Sequence, residues 1–223
     1  MNNIIEINGT PPPADAIYQR LFNFIENVLL DFMVLSRDKD GNLVTSEDAI
    51  TEDLADYLDN KQESLQNDPN IAFKFTNQSQ QKTDIGVKFG RGYYTYNRNP
   101  FCWIEAKRLP TPKGGKNRDE REYVFVDKDR YSGNGGIQRF KDCKHAPKLP
   151  YSIMLGYIQD GNSVDFWFLK INQWIVELAR INNLWDNKDC LSRCSTGEID
   201  LFKSIHKRID GSKIELQHFW IRL

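Results

Sequence analysis

What this chain lacks sets its first limits. It has 30 Lys and Arg against 31 Asp and Glu, a net charge of −1. No global electrostatic pull therefore draws it to nucleic acid, and any such surface must be local. No apolar run approaches the length of a membrane span, and the opening Met1-Asn2-Asn3-Ile4-Ile5-Glu6 has neither a basic start nor an apolar secretory core. Without an export signal, Cys102, Cys143, Cys190 and Cys194 are expected as reduced thiols rather than a disulfide framework. A Gly-x-x-x-x-Gly-Lys-Ser/Thr loop is missing too, so any ATPase motor would act in trans. There is no internal repeat and no low-complexity tract. These absences give the expectation of a cytoplasmic protein with no membrane partner.

What is present is enough for one substantial core: 223 residues, 39% of them hydrophobic. Apolar positions Ile17, Leu21, Phe24, Ile25, Val28, Leu29 and Phe32 recur at helical spacing, predicting a helix from Ala14 to about Leu35. Asp38 to Asn42 is turn chemistry, and Ser46 is placed to cap a second helix through Ile50, Leu54, Tyr57 and Leu58. The period then drops to two. Ile71–Phe75 and Thr83–Phe89 alternate, and Phe101–Ile104 is an apolar run. A long polar connection, Pro110 to Gly136, leads into a helix at Ile137 to about Cys143. Tyr151–Ile158 and Ser163–Leu169 read as strands, Ile171–Leu184 as a helix, and Ile214–Ile221 as a last strand. Helices, strands and a mixed tail predict an α/β or α+β fold around a central sheet. It reads as a single domain over 1–223, with an N-terminal helical extension (1–45), a motif-bearing core (46–158) and completing elements (159–223).

The chemistry concentrates at Thr83-Asp84-Ile85-Gly86 and Trp103-Ile104-Glu105-Ala106-Lys107-Arg108. Side chains alternate along a strand, so Glu105 and Lys107 share a face. Asp84 and Glu105, with the carbonyl of Ala106, are the oxygen donors a hard cation such as Mg²⁺ or Mn²⁺ takes. Lys107 would act as a point charge beside them. A carboxylate following the apolar run Phe101–Ile104 breaks the local rule of a buried strand, as functional residues do. Against that stands a solvated same-face Glu–Lys pair, a common chance occurrence.

An acid on a helix, x-Asp on one strand and hydrophobic-x-Glu-x-Lys on the next, then a helix, resembles the PD-(D/E)xK nuclease superfamily. The match runs from about Ser46 to Ile158, with Thr83 where the name-giving proline would stand. Trp103–Leu109 followed by Gly136-Ile137-Gln138-Arg139-Phe140 is similar to small stand-alone bacterial members, several tied to defence against phage and mobile elements. The resemblance implies a restriction-endonuclease-like mixed central sheet flanked by helices, and a nuclease dependent on Mg²⁺ or Mn²⁺ with DNA favoured over RNA, though the residues themselves do not separate the two. In it, Asp84 and Glu105 hold the metal, Lys107 assists catalysis, and Glu52 supplies the helix acid, with Glu47 and Asp48 as competitors. A homodimer follows by analogy alone. The rival expectation is a non-catalytic nucleic-acid-binding or assembly subunit of the same fold.

Lesser candidates surround this core. Gln138 and Arg139 open a helix after Gly135-Gly136, where backbone N–H groups favour a phosphate; Arg108 joins them as a substrate contact. Lys113, Lys116, Arg118, Arg121, Lys128 and Arg130 are balanced by Asp119, Glu120, Glu122, Asp127 and Asp129, the pattern of a solvated loop. Tyr93, Tyr94 and Tyr96 with Arg91 and Arg98 are candidates for stacking on a nucleic acid, or for packing. Cys143, His145, Cys190 and Cys194 could supply four zinc ligands at loose spacing. His206 and His218 are potential bases for which the sequence names no partner.

Overall fold

The computed structural model describes residues 14–32, 34, 39–42, 46–64, 73–77, 85–89, 99–110, 119–126, 135–196 and 199–223. Two helices come first, α1 (Ala14–Leu29) and α2 (Glu47–Ser64). Strands β1 (Phe73–Asn77), β2 (Ile85–Phe89) and β3 (Cys102–Leu109) follow, then a short helix α3 (Gly136–Lys141) and strand β4 (Tyr151–Ile158). Helix α4 (Val164–Ile181) leads through a single 3₁₀ turn to β5 (Ser192–Thr196), β6 (Asp200–Lys207) and β7 (Lys213–Arg222). The result is a mixed α/β protein. Its seven strands form one sheet in the order β1-β2-β3-β4-β7-β6-β5. The three central strands β3, β4 and β7 run parallel, and the flanking pairs are antiparallel.

Period-two alternation gives the sheet two apolar faces. Cys102, Ile104 and Ala106 of β3, with Ile153, Leu155 and Tyr157 of β4, face α1 and α2. Those helices answer with Leu21, Ile25, Ile50, Leu54 and Leu58, all wholly buried. The opposite face carries Met154, Leu216 and Trp220 and is covered by α3 and α4 through Ile137, Phe140, Trp167, Ile171, Trp174 and Ile175. Glu105 and Lys107 alternate out of phase with Ile104 and Ala106, so they belong to this second face. Gly156 of β4 is required there: a Cβ at that position would come within 2.4 Å of the Trp220 ring.

Several elements match the periodicity. Ser46 caps α2, its Oγ accepting from Ala49 N at 3.3 Å. The stretch Ser163–Leu169 does not form the expected strand. Ser163 is the N-cap of α4, accepting from Phe166 N at 3.0 Å, and the helix runs on from there. Its buried positions Trp167, Ile171, Trp174, Ile175 and Leu178 lie at helical spacing, and that burial outweighs the β-propensity of Val164, Phe166 and Phe168. Helix α1 ends at Leu29 rather than near Leu35. Among the described residues, no helix is long and apolar enough to cross a membrane.

Candidate active site

Glu105 lies on the central strand β3 and is wholly buried. Its carboxylate collects three neighbours. Arg139 of α3 donates to Oε1 at 2.6 Å, and Lys107 Nζ stands 3.2 Å from the same oxygen. His145, after α3, places Nδ1 3.1 Å from Oε2, without the alignment of a hydrogen bond. Burial alone would raise the Glu105 carboxyl; Lys107, His145 and Arg139 together outweigh it and hold the group at about 2. Lys107 is itself buried and donates to Glu47 Oε1 at 2.7 Å and to the Ala106 carbonyl at 2.7 Å. Glu47 reaches back from the first turn of α2, and its other oxygen accepts from Arg108 N at 3.2 Å.

The structure treats the expected site residues unequally. Glu105 and Lys107 are together, as the alternation demands. Asp84 lies outside the described residues; Ile85, which follows it, pairs with Ile104, which precedes Glu105. Glu52 is exposed on α2, whereas Glu47, one turn and a half earlier at the helix start, meets Lys107. The Ala106 carbonyl accepts from Lys107 Nζ at 2.7 Å.

Gln138 is engaged by the protein's own backbone. The N–H groups of Gly136, Ile137 and Gln138 donate to the carbonyls of Glu122, Tyr123 and Val124 at 2.8, 3.2 and 3.0 Å. Gln138 Oε1 accepts from Gly135 N and Val126 N. The opening of α3 is thus sealed by backbone, and no N–H is left to cradle a phosphate. The close approach explains the glycine: a Cβ on Gly135 would stand 2.3 Å from Phe125 N. Arg139, by contrast, is half-buried at the rim and touches Glu105 directly.

The zinc reading of Cys143, His145, Cys190 and Cys194 does not survive. His145 faces Glu105, the three cysteines are free thiols, and Cys194 is exposed. Among the described residues, no three His, Cys, Asp or Glu side chains converge as metal ligands. Tyr93, Tyr94, Tyr96, Arg91 and Arg98 lie outside the described residues, as do Lys113, Lys116, Arg118, Lys128 and Arg130. Arg121 is described, and its guanidinium pairs with Asp119 at 2.7 Å.

A second polar cluster, of which the sequence marks only His206 and His218, lies on the same sheet face. Trp220 Nε1 donates to the Tyr123 hydroxyl at 2.9 Å, and that hydroxyl meets His218 Nδ1 at 2.8 Å. His218 Nε2 and His206 Nε2 flank Ser204 Oγ at 2.7 and 2.6 Å, and His206 Nδ1 reaches Asp189 Oδ1 at 3.0 Å. Lys141 Nζ donates to Asp189 Oδ2 at 2.7 Å. Burial pushes both imidazoles down from 6.5, and with both neutral and the carboxylate only accepting, the protons have one consistent order. Tyr123 gives to His218 Nδ1, His218 Nε2 to Ser204, Ser204 to His206 Nε2, and His206 Nδ1 to Asp189. Asp189, His206 and Ser204 have the connectivity of an acyl-transfer triad. Ser204 is nevertheless buried between two rings, with both its donor and acceptor roles taken. It is a link in a structural chain, not a nucleophile.

Fold and site together define a mixed-sheet α/β protein with a buried carboxylate–ammonium–guanidinium cluster on a central strand. Compared with known protein families, curated proteins and solved structures, the chain matches none.

Proposed function

We propose that the protein is a metal-dependent nuclease that hydrolyses phosphodiesters, DNA before RNA, at the Glu105–Lys107 cluster. One observation carries the reading. A wholly buried carboxylate, ringed by an ammonium, a guanidinium and an imidazole, keeps one oxygen, Oε2, without a hydrogen bond. Buried charges are ordinarily paired and hydrogen-bonded to the full, so an incomplete one marks a site held ready for something else.

Glu105 Oε2 is the donor that would face a divalent cation, with Asp84 the expected second carboxylate from the neighbouring strand's approach. When bound, such a cation lowers the pKa of a water and neutralises charge on the phosphate oxygens. The chain's own residues supply the rest. Lys107, fixed by Glu47, offers a stationary positive charge to a developing oxyanion. Arg139, the most exposed of the three groups on Glu105, is free to trade that carboxylate for an incoming phosphate. Glu47 locks both Lys107 and the Arg108 backbone to α2, so the strand end keeps its shape.

The test is direct. Plasmid, linear duplex, single strand and RNA are incubated with Mg²⁺ or Mn²⁺, using wild type, Asp84→Ala and Lys107→Ala. Metal-dependent cutting abolished by either substitution, with circular dichroism unchanged, supports the enzyme. A second reading, a nucleic-acid-binding subunit that does no chemistry, draws support from the engagement of Lys107 by two carboxylates. Binding without cutting in every sample selects it.

A further inference from the structure

The sheet face opposite Glu105 holds a groove of about 400 Å³ beside α1. Its wall is one side of that helix, with Asp15, Tyr18, Phe22 and Glu26. Its floor is Tyr151 of β4, Glu215 and Phe219 of β7, and Leu201 and Lys203 of β6. Three carboxylates, Asp15, Glu26 and Glu215, thus face one cation, Lys203. Among the described residues, none of the three carboxylates makes an ion pair. The Tyr151 hydroxyl donates to Asp15 at 3.1 Å. That bond, then burial and the charges of Asp15 and Glu215, push the hydroxyl up from 10. Glu26 and Glu215 are half-buried, so water screens this negative field only in part.

Rings stand beside the carboxylates. Tyr151 packs against Tyr18 with centroids 4.6 Å apart and against Phe22 at 6.4 Å. An alkylammonium over such rings gains from their quadrupole, and its methylenes gain from apolar Phe219 and Leu201. Asp15 and Glu26 lie about three turns apart on α1, which is about 16 Å along the axis. Glu215 is the register partner of Tyr151 and so stands at the Asp15 end. Negative charge at both ends of a partly apolar trough fits a linear cation. Strands β4, β7 and β6 are each hydrogen-bonded on both sides within the sheet, so the floor has no open backbone for a peptide to pair with. We propose that this groove binds a linear aliphatic polyamine, with ammonium groups on the Asp15–Glu215 end and on Glu26 and methylenes across the rings between them. The volume is in the range of small-molecule sites. The proposal does not depend on the nuclease reading, because Glu105 lies on the other face.

Spermidine is the probe. The full chain is titrated with it by calorimetry in about 0.15 M salt, where attraction at a distance is screened. Putrescine, trilysine and hexaamminecobalt(III) are titrated alongside. The expected result is a one-to-one spermidine complex, tighter than that of putrescine, which is too short to engage both ends. Asp15→Asn combined with Glu215→Gln should weaken spermidine about 10-fold. Glu177→Gln, which removes a carboxylate from α4 across the sheet, should leave it unchanged. Hexaamminecobalt(III) carries three charges on no chain, so binding as tight as that of spermidine reduces the groove to charge alone and overturns the proposal. Tighter binding of trilysine assigns the groove to a basic protein segment and overturns it too. So does the absence of spermidine binding, or binding that the double variant retains in full. The ligand series needs no substitution, so a variant that fails to fold does not block the decision.

Discussion

On the face covered by α3 and α4, one row across the sheet runs Glu105, Met154, His218, with two polar clusters set on either side of a methionine. Helix α3 serves both, sending Arg139 to Glu105 and Lys141 to Asp189. From Trp220 to Asp189, every polar atom in the chain has a partner in a single proton order. Around Glu105, charges converge but two atoms are left without a hydrogen bond. A saturated buried network specifies and stiffens a core; an unsaturated one holds binding capacity in reserve. The difference teaches which histidines close a hydrogen-bonded chain and which one meets only a buried charge.

That contrast can be broken by substitution. Asp189→Ala should have the largest effect on stability, about 3–5 kcal/mol, because it strands the buried Lys141 ammonium. Chemical denaturation measures it, and pairing Asp189→Leu with Lys141→Met should restore the part due to the stranded ammonium, leaving the His206 Nδ1 proton without its acceptor. A single-variant cost below about 1 kcal/mol would remove the chain's structural role.

Acid should separate the clusters by pH window. The imidazoles of His206 and His218 are pushed below 6.5 in the folded state, so the unfolded chain takes up those protons first. Stability is therefore complete above about pH 6.5 and falls as pH drops, by up to about 1.4 kcal/mol per pH unit for each histidine. Glu105, held at about 2 against an ordinary 4.5, acts in the same direction in a lower window, between those two values. Denaturation midpoints at pH 8, 6.5, 5 and 4 should show the first fall well before the second.

Glu105→Gln should cost about 2–3 kcal/mol near pH 7, since it forgoes the interactions that hold the carboxyl at about 2, and less than Asp189→Ala because Lys107 keeps Glu47 and Arg139 reaches solvent. On the proposed reading, metal-dependent cutting should vanish in that variant while the fold is retained. Equal destabilisation by Glu105→Gln and Asp189→Ala would erase the distinction between the clusters. Tyr123→Phe should cost about 1–3 kcal/mol, since it leaves Trp220 Nε1 and His218 Nδ1 buried and unpaired.

Parts of this were legible along the chain. Tyr151–Ile158 is apolar but for Ser152 because β4 is buried on both faces, and the run gives the bounds of the strand. Ser46 announced α2. The strands β5 and β6 left no such trace: the inner face of β6 carries Ser204 and His206, so alternation of apolar with polar residues fails where the polar chain runs. At the site, the Glu105–Lys107 pair follows from period two. Its partners do not, for Arg139 comes from 34 positions away and Glu47 from 60. Cys143-Lys144-His145 looked like half a metal knuckle, and only the left-handed turns around it show that the histidine points to Glu105 instead.

By itself the order of residues determined which side chains share a strand face, where the helices are capped, and that an acid and a lysine interrupt an apolar run. Those are local properties, governed by backbone periodicity within a few residues. Which base stands beside Glu105, which helix acid grips Lys107, and why two histidines are inert were decided only when distant segments met. Burial removes water as the default partner, and in its absence geometry alone settles which polar atoms are satisfied.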